Sequence, residues 1–301
     1  MHTWTANDRV AAFVMAALAA AAPASAQSPR QDWAEVDQAI GRAGTPQPGE
    51  VQKYGFPRSD LAVTAAGVRV KPALALGSWV AFKRMGGEAM AMGDLVLLEP
   101  EVAPVIAKLQ AMGVEQTALH NHLQGESPRV MYLHIQAQGD PVKIAGAVRA
   151  ALAETRTPKV PAAAAGGTLG LDTAALASAL GYAGKVTGGV YQVTVPRAEP
   201  VRMGGMEIPP AMGVATALNF QPTHGGKAVI TGDFVLSAEE VNPVIRSLRD
   251  GGVAVTALHS HMLGEEPRLY FMHFWANDDA GTLARTLRAA LGHMNVRPAG
   301  G

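Results

Sequence analysis

A chain of 301 residues without a single cysteine has room for one large domain or two smaller ones, but it forms no disulfide and no thiolate metal site. Lysine plus arginine and aspartate plus glutamate both number 25, with no long run of one sign in either half. That balance argues against a nucleic-acid partner, whose binding leaves a basic footprint.

Residues 1–26 have the form of a secretory signal: Arg9 near the start, an apolar stretch over 10–22, and Ala24-Ser25-Ala26 as a cleavage site before Gln27. The apolar stretch is shorter than the ~20 residues of a membrane-spanning helix, and no later segment qualifies, so no integral membrane segment is expected after cleavage. The expectation is an exported, soluble protein, periplasmic or secreted, with no lipid-modified cysteine to tether it. Any metal ligands would be nitrogen and oxygen.

The remainder reads as one pattern written twice, a first unit at 31–154 and a second at 171–295, joined by a linker at 155–170 rich in Pro, Ala and Gly. Asp32-Trp33-Ala34-Glu35 resembles a capping box opening a helix with Trp33, Val36 and Ile40 on one face; Asp172 opens its counterpart, with Leu176, Ala179 and Leu180 as the apolar stripe. Extended stretches at 51–56 and 190–195 each run into Pro-Arg, at Pro57-Arg58 and Pro196-Arg197. Residues 73–82 and 211–220 are expected to be strands, turned at Gly86-Gly87 and Gly225-Gly226 into returning strands at 89–98 and 228–236. Each returning strand carries Gly-Asp, at Gly93-Asp94 and Gly232-Asp233, and a buried aspartate needs a partner.

A helix follows in each copy. In the second, Ser237-Ala238-Glu239-Glu240 is a capping box and Val241, Val244, Ile245 and Leu248 form the stripe; Val102, Val105, Ile106 and Leu109 match them in the first. Pro104 and Pro243 place the start of the regular helix at themselves, with exits at Gly113 and Gly252. After a hairpin comes a last helix, opened by Asp140-Pro141 or Asp278-Asp279. The fold class expected is α+β: two tandem repeats, each a mostly antiparallel sheet with helices packed on one face, with split-βαβ connectivity. Whether the units stand apart or pair their sheets about a pseudo-twofold axis is left open by the pattern.

The hairpins carry the chemistry. Thr117 to Asp140 and Thr256 to Asp279 lie 139 residues apart and share 12 of 24 positions, including His120, His122 and His134 with His259, His261 and His273. Glu126 with Arg129, and Glu265 with Arg268, recur as well, while the apolar filler drifts. Residues two apart on a strand share a face, so His120 and His122 point together; a turn at Glu126-Ser127-Pro128 would return His134 opposite His120. Three neutral imidazoles suit zinc, manganese or iron, with Glu126 or Glu265 as a fourth ligand or general base and Arg129 or Arg268 orienting a carboxylate or phosphate. The same Glu-Arg pairs equally suit an ion pair holding the hairpin tip. Asp94 and Asp233 are candidates to orient a histidine ligand from a neighbouring strand. Tyr132, Tyr270, Phe271, Phe274 and Trp275 read as core, and His224 as a turn residue.

Ala-Leu-His-x-His, then Gly-Glu-x-Pro-Arg, then a lone histidine before a helix ending in Arg-Ala-Ala-Leu resembles the LppY/LpqO family of exported bacterial proteins, and does so in both copies. The second copy, from Leu258 to Arg268, is the closer. The resemblance implies export and a shared fold without a named activity; its named members are lipoproteins, and this chain lacks the cysteine that lipidation needs. His-x-His with a glutamate four residues on is also similar to the first metal motif of cupins. A helix directly before the motif strand, another after the hairpin, and no second motif behind a Pro-x-Gly turn argue against a cupin barrel.

These readings converge on an exported protein with a duplicated histidine hairpin that binds a divalent transition metal or a small anionic ligand, with metal-dependent catalysis of an unspecified reaction if it is an enzyme. The rival from another class is a non-catalytic envelope protein whose histidine clusters are structural and whose surface meets a protein or cell-wall partner.

Overall fold

The doubling expected from the sequence shows directly in the order of elements. A computed structural model describes residues 1–2, 32–160 and 169–299, so the signal reading at 1–26 and most of the linker's centre lie outside the described residues. The first copy runs α1 (Ala34–Ile40), β1 (Thr45–Gln47), β2 (Val51–Pro57), β3 (Thr64–Ala65), β4 (Val68–Arg69), α2 (Pro72–Ala75), β5 (Gly77–Met85), β6 (Glu88–Leu98), α3 (Glu99–Ala111), β7 (Glu115–His120), β8 (Val130–Gly139) and α4 (Pro141–Leu152). The second runs α5 (Thr173–Leu180), β9 (Gly184–Thr187), β10 (Val190–Pro196), β11 (Val201–Met203), β12 (Met206–Ile208), a 3-10 turn (Pro210–Met212), β13 (Ala215–Pro222), β14 (Lys227–Leu236), α6 (Ala238–Asp250), β15 (Ala254–His259), β16 (Glu265–Glu266), β17 (Tyr270–Asp279) and α7 (Ala280–Leu291).

Each copy forms a six-stranded antiparallel sheet, ordered β1-β2-β5-β6-β8-β7 in the first and β9-β10-β13-β14-β17-β15 in the second. The fold is α+β, as the pattern of elements predicts. Local chemistry sets the helix ends. Asp172 accepts from the Ala174 and Ala175 amides, Asp140 from Val142 and Lys143, and Glu240 reaches back to the Ser237 amide at 2.8 Å. Gly41 and Gly181 leave α1 and α5 at φ 87° and 78°, a region that suits glycine.

Three expectations are corrected. Residues 73–82 and 211–220 are not strands throughout: the prolines at 72 and 210 start a helical turn first, and the strands begin at Gly77 and Ala215. Helices α3 and α6 begin at Glu99 and Ala238, several residues before Pro104 and Pro243, because Glu101 and Glu240 cap them through the Leu98 and Ser237 amides. Helix α1 begins at Ala34 with Trp33 at its N-cap position.

Along each central strand the side chains alternate between two environments. In β6, Leu95 and Leu97 join Val80, Phe82, Val105 and Leu109 beneath the helices, while Met90, Met92, Asp94 and Val96 face the other way. In β14, Phe234 and Leu236 lie under α6 and α7, and Val229, Thr231, Asp233 and Val235 face away.

The faces turned from the helices meet. Val51, Ala81, Met90 and Met92 of the first copy share a core with Val201, Met203, Ile208, Met212 and Phe271 of the second, and Val190 and Val229 of the second share one with Leu61 to Leu76 and Tyr132 of the first. Trp33–Gly301 is accordingly one unit, and the question of separate domains or paired sheets is answered for the paired sheets.

Two segments do the joining, 58–76 and 197–214, and each crosses to the sheet of the other copy as a clasp. The first is gripped by Gln192, Asn219 and Gln221, which donate to the carbonyls of Ala73, Leu74 and Arg69 at 2.8, 3.3 and 2.8 Å. Lys53 donates to the Ala211 carbonyl of the second clasp at 3.2 Å and covers Trp79 at 3.8 Å.

At the base of each clasp sits the arginine of the Pro-Arg pair. Arg58 donates to Glu101 at 2.7 Å and to the Val96 carbonyl at 2.8 Å; Arg197 donates to Glu240 at 2.6 Å and the Val235 carbonyl at 2.7 Å. Both guanidiniums are buried, and the glutamates are the helix-capping residues, so one ion pair ties clasp, strand and helix together. Burial pushes the Glu240 carboxyl up, but hydrogen bonds from Arg197 and the Asn295 and Ser237 amides outweigh it and hold its pKa below the usual value. A depressed carboxylate stabilises the fold above its unfolded pKa and loses that contribution as pH falls through the folded one. Arg197→Met should therefore cost about 3–5 kcal/mol in urea unfolding at neutral pH, by stranding a buried charge. The gap from the parent protein should close as the pH drops below the glutamate range.

Candidate metal centre

Where the two sheets meet, β7 and β15 end in His120 and His259, and β8 and β17 bring His134 and His273 into the middle of the facing surfaces. His122 and His261 lie just past the strand ends. The register differs from expectation by two residues: His134 lies opposite Ala118, and His120 opposite Tyr132, and beyond them a bulge at Thr117 moves the pairing by one more. The second copy repeats this, with His273 opposite Ala257 and a bulge at Thr256.

The six imidazoles form a single group. His120 stacks on His259 at 3.6 Å between ring centroids, His122 on His273 at 3.7 Å, and His134 on His261 at 3.6 Å. Each of these contacts crosses between the copies. Since His120 corresponds to His259, His122 to His261 and His134 to His273, this is the pairing of a pseudo-twofold axis passing between His120 and His259. Aromatic residues close both ends: Tyr132 stacks on His122 at 3.3 Å and its counterpart Phe271 on His261 at 3.7 Å. Tyr132 is fixed by donating to the Ala75 carbonyl at 2.8 Å.

The donor sets overlap. One comprises His120, His259, His261 and His273, the other His120, His122 and His134, with the ligand atoms of each set within 4.8 Å of one another. Asp94 approaches the Nε2 atoms of His122 and His134 at 4.0 and 3.9 Å, and Asp233 approaches His261 Nε2 and His273 Nδ1 at 3.7 and 3.8 Å. His273 Nδ1 lies 2.8 Å from the Gly232 carbonyl, which sets the tautomer and leaves Nε2 as the donor toward the cluster. The Nε2 atoms of all six histidines are buried and lack a hydrogen-bond partner among the described residues, as do Asp94 Oδ1 and Asp233 Oδ1.

Burial lowers the pKa of every histidine in the group, to about 3 for His120 and about 4 for His259 and well below the ordinary value for the other four. Neutral imidazole is the form that ligates metal. Burial also raises Asp94, to about 8, and Asp233. The glycine before each aspartate is a steric necessity: a Cβ at Gly93 would come within 2.7 Å of the Trp79 carbonyl oxygen, and one at Gly232 within 1.9 Å of that of Ala217.

The bulges give two threonines a role the spacing did not suggest. Thr117 donates to the His261 carbonyl and Thr256 to the His122 carbonyl, each at 2.6 Å, so each copy fixes the histidine loop of the other. Both threonines open the duplicated segment and are identical in the two copies, which was the available signal.

Glu265 is buried, accepts from the Leu269 amide at 3.0 Å and pairs with Arg268 at 3.4 Å. Arg268 also reaches the Met262 carbonyl and Ser260. Glu126 accepts from the Val130 amide at 3.4 Å, and Arg129 donates to Asn121. The structure thus places all four at the tips of the hairpins, closing the loops that hold His122 and His261. It does not bring them into either group of clustered donors.

With this geometry in view, the chain matches the family described as Domain of Unknown Function (DUF1259) at residues 34–154 and again at 174–293, and it belongs to that family as a tandem pair. No curated protein matches it. Two solved structures are similar to it. One is the crystal structure of a trimeric bacterial microcompartment shell protein, PduB, at 14% identity over 82% of this chain and 88% of that one, with a TM-score of 0.22. The other is EtuB from Clostridium kluyveri, at 10% identity over 83% and 90%, with a TM-score of 0.20. Likenesses this weak define neither the fold nor the activity. Among the described residues no helix is long and apolar enough to cross a membrane.

If the threonines set the histidine loops, a Thr117→Val/Thr256→Val double variant should fold, lose about 0.5–1.5 kcal/mol per hydrogen bond in chemical denaturation, and show broadened imidazole signals in NMR spectra. Unchanged imidazole line widths would show that the loops are set by other contacts.

Proposed function

We propose that this is a transition-metal protein whose two copies build one composite centre from His120, His122, His134, His259, His261 and His273. The observation that supports the reading best is the convergence of six buried, unpartnered Nε2 atoms flanked by the buried Oδ1 atoms of Asp94 and Asp233. Unpaired buried polar atoms cost free energy, and a cation satisfies imidazoles and carboxylates together.

Metal–nitrogen bonds of about 2.0–2.1 Å put two donors of one ion about 3–4 Å apart, so donors already within 4.8 Å of one another need only small shifts. Six nitrogens exceed the four positions of one tetrahedral ion; His120 belongs to both sets and its nitrogen can serve only one ion, so two ions would divide the six as three and three or four and two. A donor set dominated by imidazole suits zinc or iron better than manganese, which prefers oxygen. Such an ion would supply Lewis acidity and an activated water. The chain's own residues supply the orientation: Tyr132 and Phe271 hold rings, Gly232 sets a tautomer, and Asp94 and Asp233 sit against the histidines.

The signal pattern at 1–26 and the resemblance to LppY/LpqO proteins support export and a periplasmic or secreted location. A purely structural histidine cluster in a non-catalytic envelope protein is the reading to be separated from this one.

Elemental analysis of the purified protein does so. One to two equivalents of a first-row metal are expected, falling to under half an equivalent in a His259→Ala/His261→Ala variant whose circular dichroism shows it folded. Absence of metal from the parent, even after reconstitution with zinc, iron, manganese and copper, would overturn the proposal.

A further inference from the structure

Beside the histidine cluster lies a cavity of about 1710 Å³ lined by both copies. His122, His134, His261 and His273 form part of its wall with Asp94 and Asp233, and Lys53, Lys71 and Lys185 also line it. We propose that this cavity binds a small anion carrying a carboxylate or phosphate group, held at Lys53 beside the histidine centre.

Lys53 is positioned for this by the sheet. It lies on the inward face of β2, two pairing rows from Gly55, and the row Gly55, Trp79, Asp94, His134 runs directly across the sheet to the histidines. Gly55 presents no side chain, and nothing lies within 4 Å of where its Cβ would be, so the floor beside Trp79 is open. The Lys53 ammonium rests over the Trp79 ring and uses one of its three donors on the Ala211 carbonyl. Two donors remain.

The charge around it calls for an anion. Burial pushes Lys53 down to about 8, with Asp94 opposing that shift and Lys185 adding to it, and Lys185 of the other copy lines the same cavity. Asp94 lies against His122 and His134. A carboxylate or phosphate in this cavity gains charge-assisted hydrogen bonds from the Lys53 ammonium.

Comparison of the copies separates this wall from the centre. The histidines and the aspartate are the same in both, whereas the places of Lys53, Trp79 and Met92 are taken in the second sheet by Gln192, Ala217 and Thr231. Duplication has kept the symmetric donor set, while one flanking wall carries Lys53 over Trp79 and the other carries Gln192 paired across the strands with Lys185. An asymmetric cavity beside a symmetric centre suits a ligand with two different ends, one of them acidic.

The proposal rests on the metal-centre reading only in having the ligand's far end reach the histidine wall; the hold of Lys53 on an anion does not need the metal. The test is calorimetric titration of inorganic phosphate into the full chain and into Lys53→Met and Lys53→Arg, with metal content measured on the same samples. Phosphate should bind the parent, bind Lys53→Met about tenfold or more weakly, and recover much of its affinity in Lys53→Arg. Should Lys53→Met fail to fold, Lys53→Gln, with the residue the second copy uses at that place, takes its part. Equal affinity in parent and variant, or no phosphate binding by the parent, overturns the anion site. Either result with metal present leaves the metal centre standing, whereas lysine-dependent phosphate binding by a protein that holds no metal even after reconstitution supports the anion site and sinks the metal reading alone.

Discussion

Each copy places three imidazoles and a carboxylate on the sheet face turned away from its helices, and that is the constraint the rest of the structure answers. A buried polar group without a partner costs about 1–3 kcal/mol, and a charged one more. A lone copy would have to leave that face in water together with Met90, Met92 and Val96, or Val229 and Val235. Closing two such faces on one another buries the apolar rows and gathers the polar ones into a single place. The clasps, the bulges and the buried arginines serve that closure.

Much of this was legible in the sequence, for identifiable reasons. Helix starts at Asp140, Asp172 and Ser237 follow from capping chemistry that acts within three residues. The hairpins and their histidines were readable because the second copy served as an internal comparison, preserving polar positions while its packing drifted. Local pattern misled where a tertiary contact decides. Residues 73–82 look extended by composition, yet Pro72 opens a turn whose carbonyls at Ala73 and Leu74 are captured by Gln192 and Asn219 from the far copy. The one-residue bulges at Thr117 and Thr256 are likewise silent in a periodicity, because the hydroxyl that uses each of them reaches a carbonyl more than 130 residues away in the chain. Nor does a three-histidine spacing within each copy reveal that six histidines meet, since that depends on how two sheets face.

The buried ion pairs show the same division between what a short window holds and what it does not. Glu240 is recognisable from sequence as a capping residue, and Pro196-Arg197 as a break after a strand. Their meeting at 2.6 Å belongs to the fold alone. Its effect is to make the helix cap and the root of the clasp one element, so that the segment reaching across to the other copy starts from a rigid point.

The axis between His120 and His259 has a consequence for how the centre assembles. A chain carrying one copy would possess half of it and would complete it only by finding a second molecule, at a rate and occupancy set by concentration. Carrying both halves on one chain turns that encounter into an intramolecular one, whose effective concentration does not depend on how much protein is present. With both halves on one chain, the residues around the centre are free to differ between the copies, as Lys53 and Gln192 do.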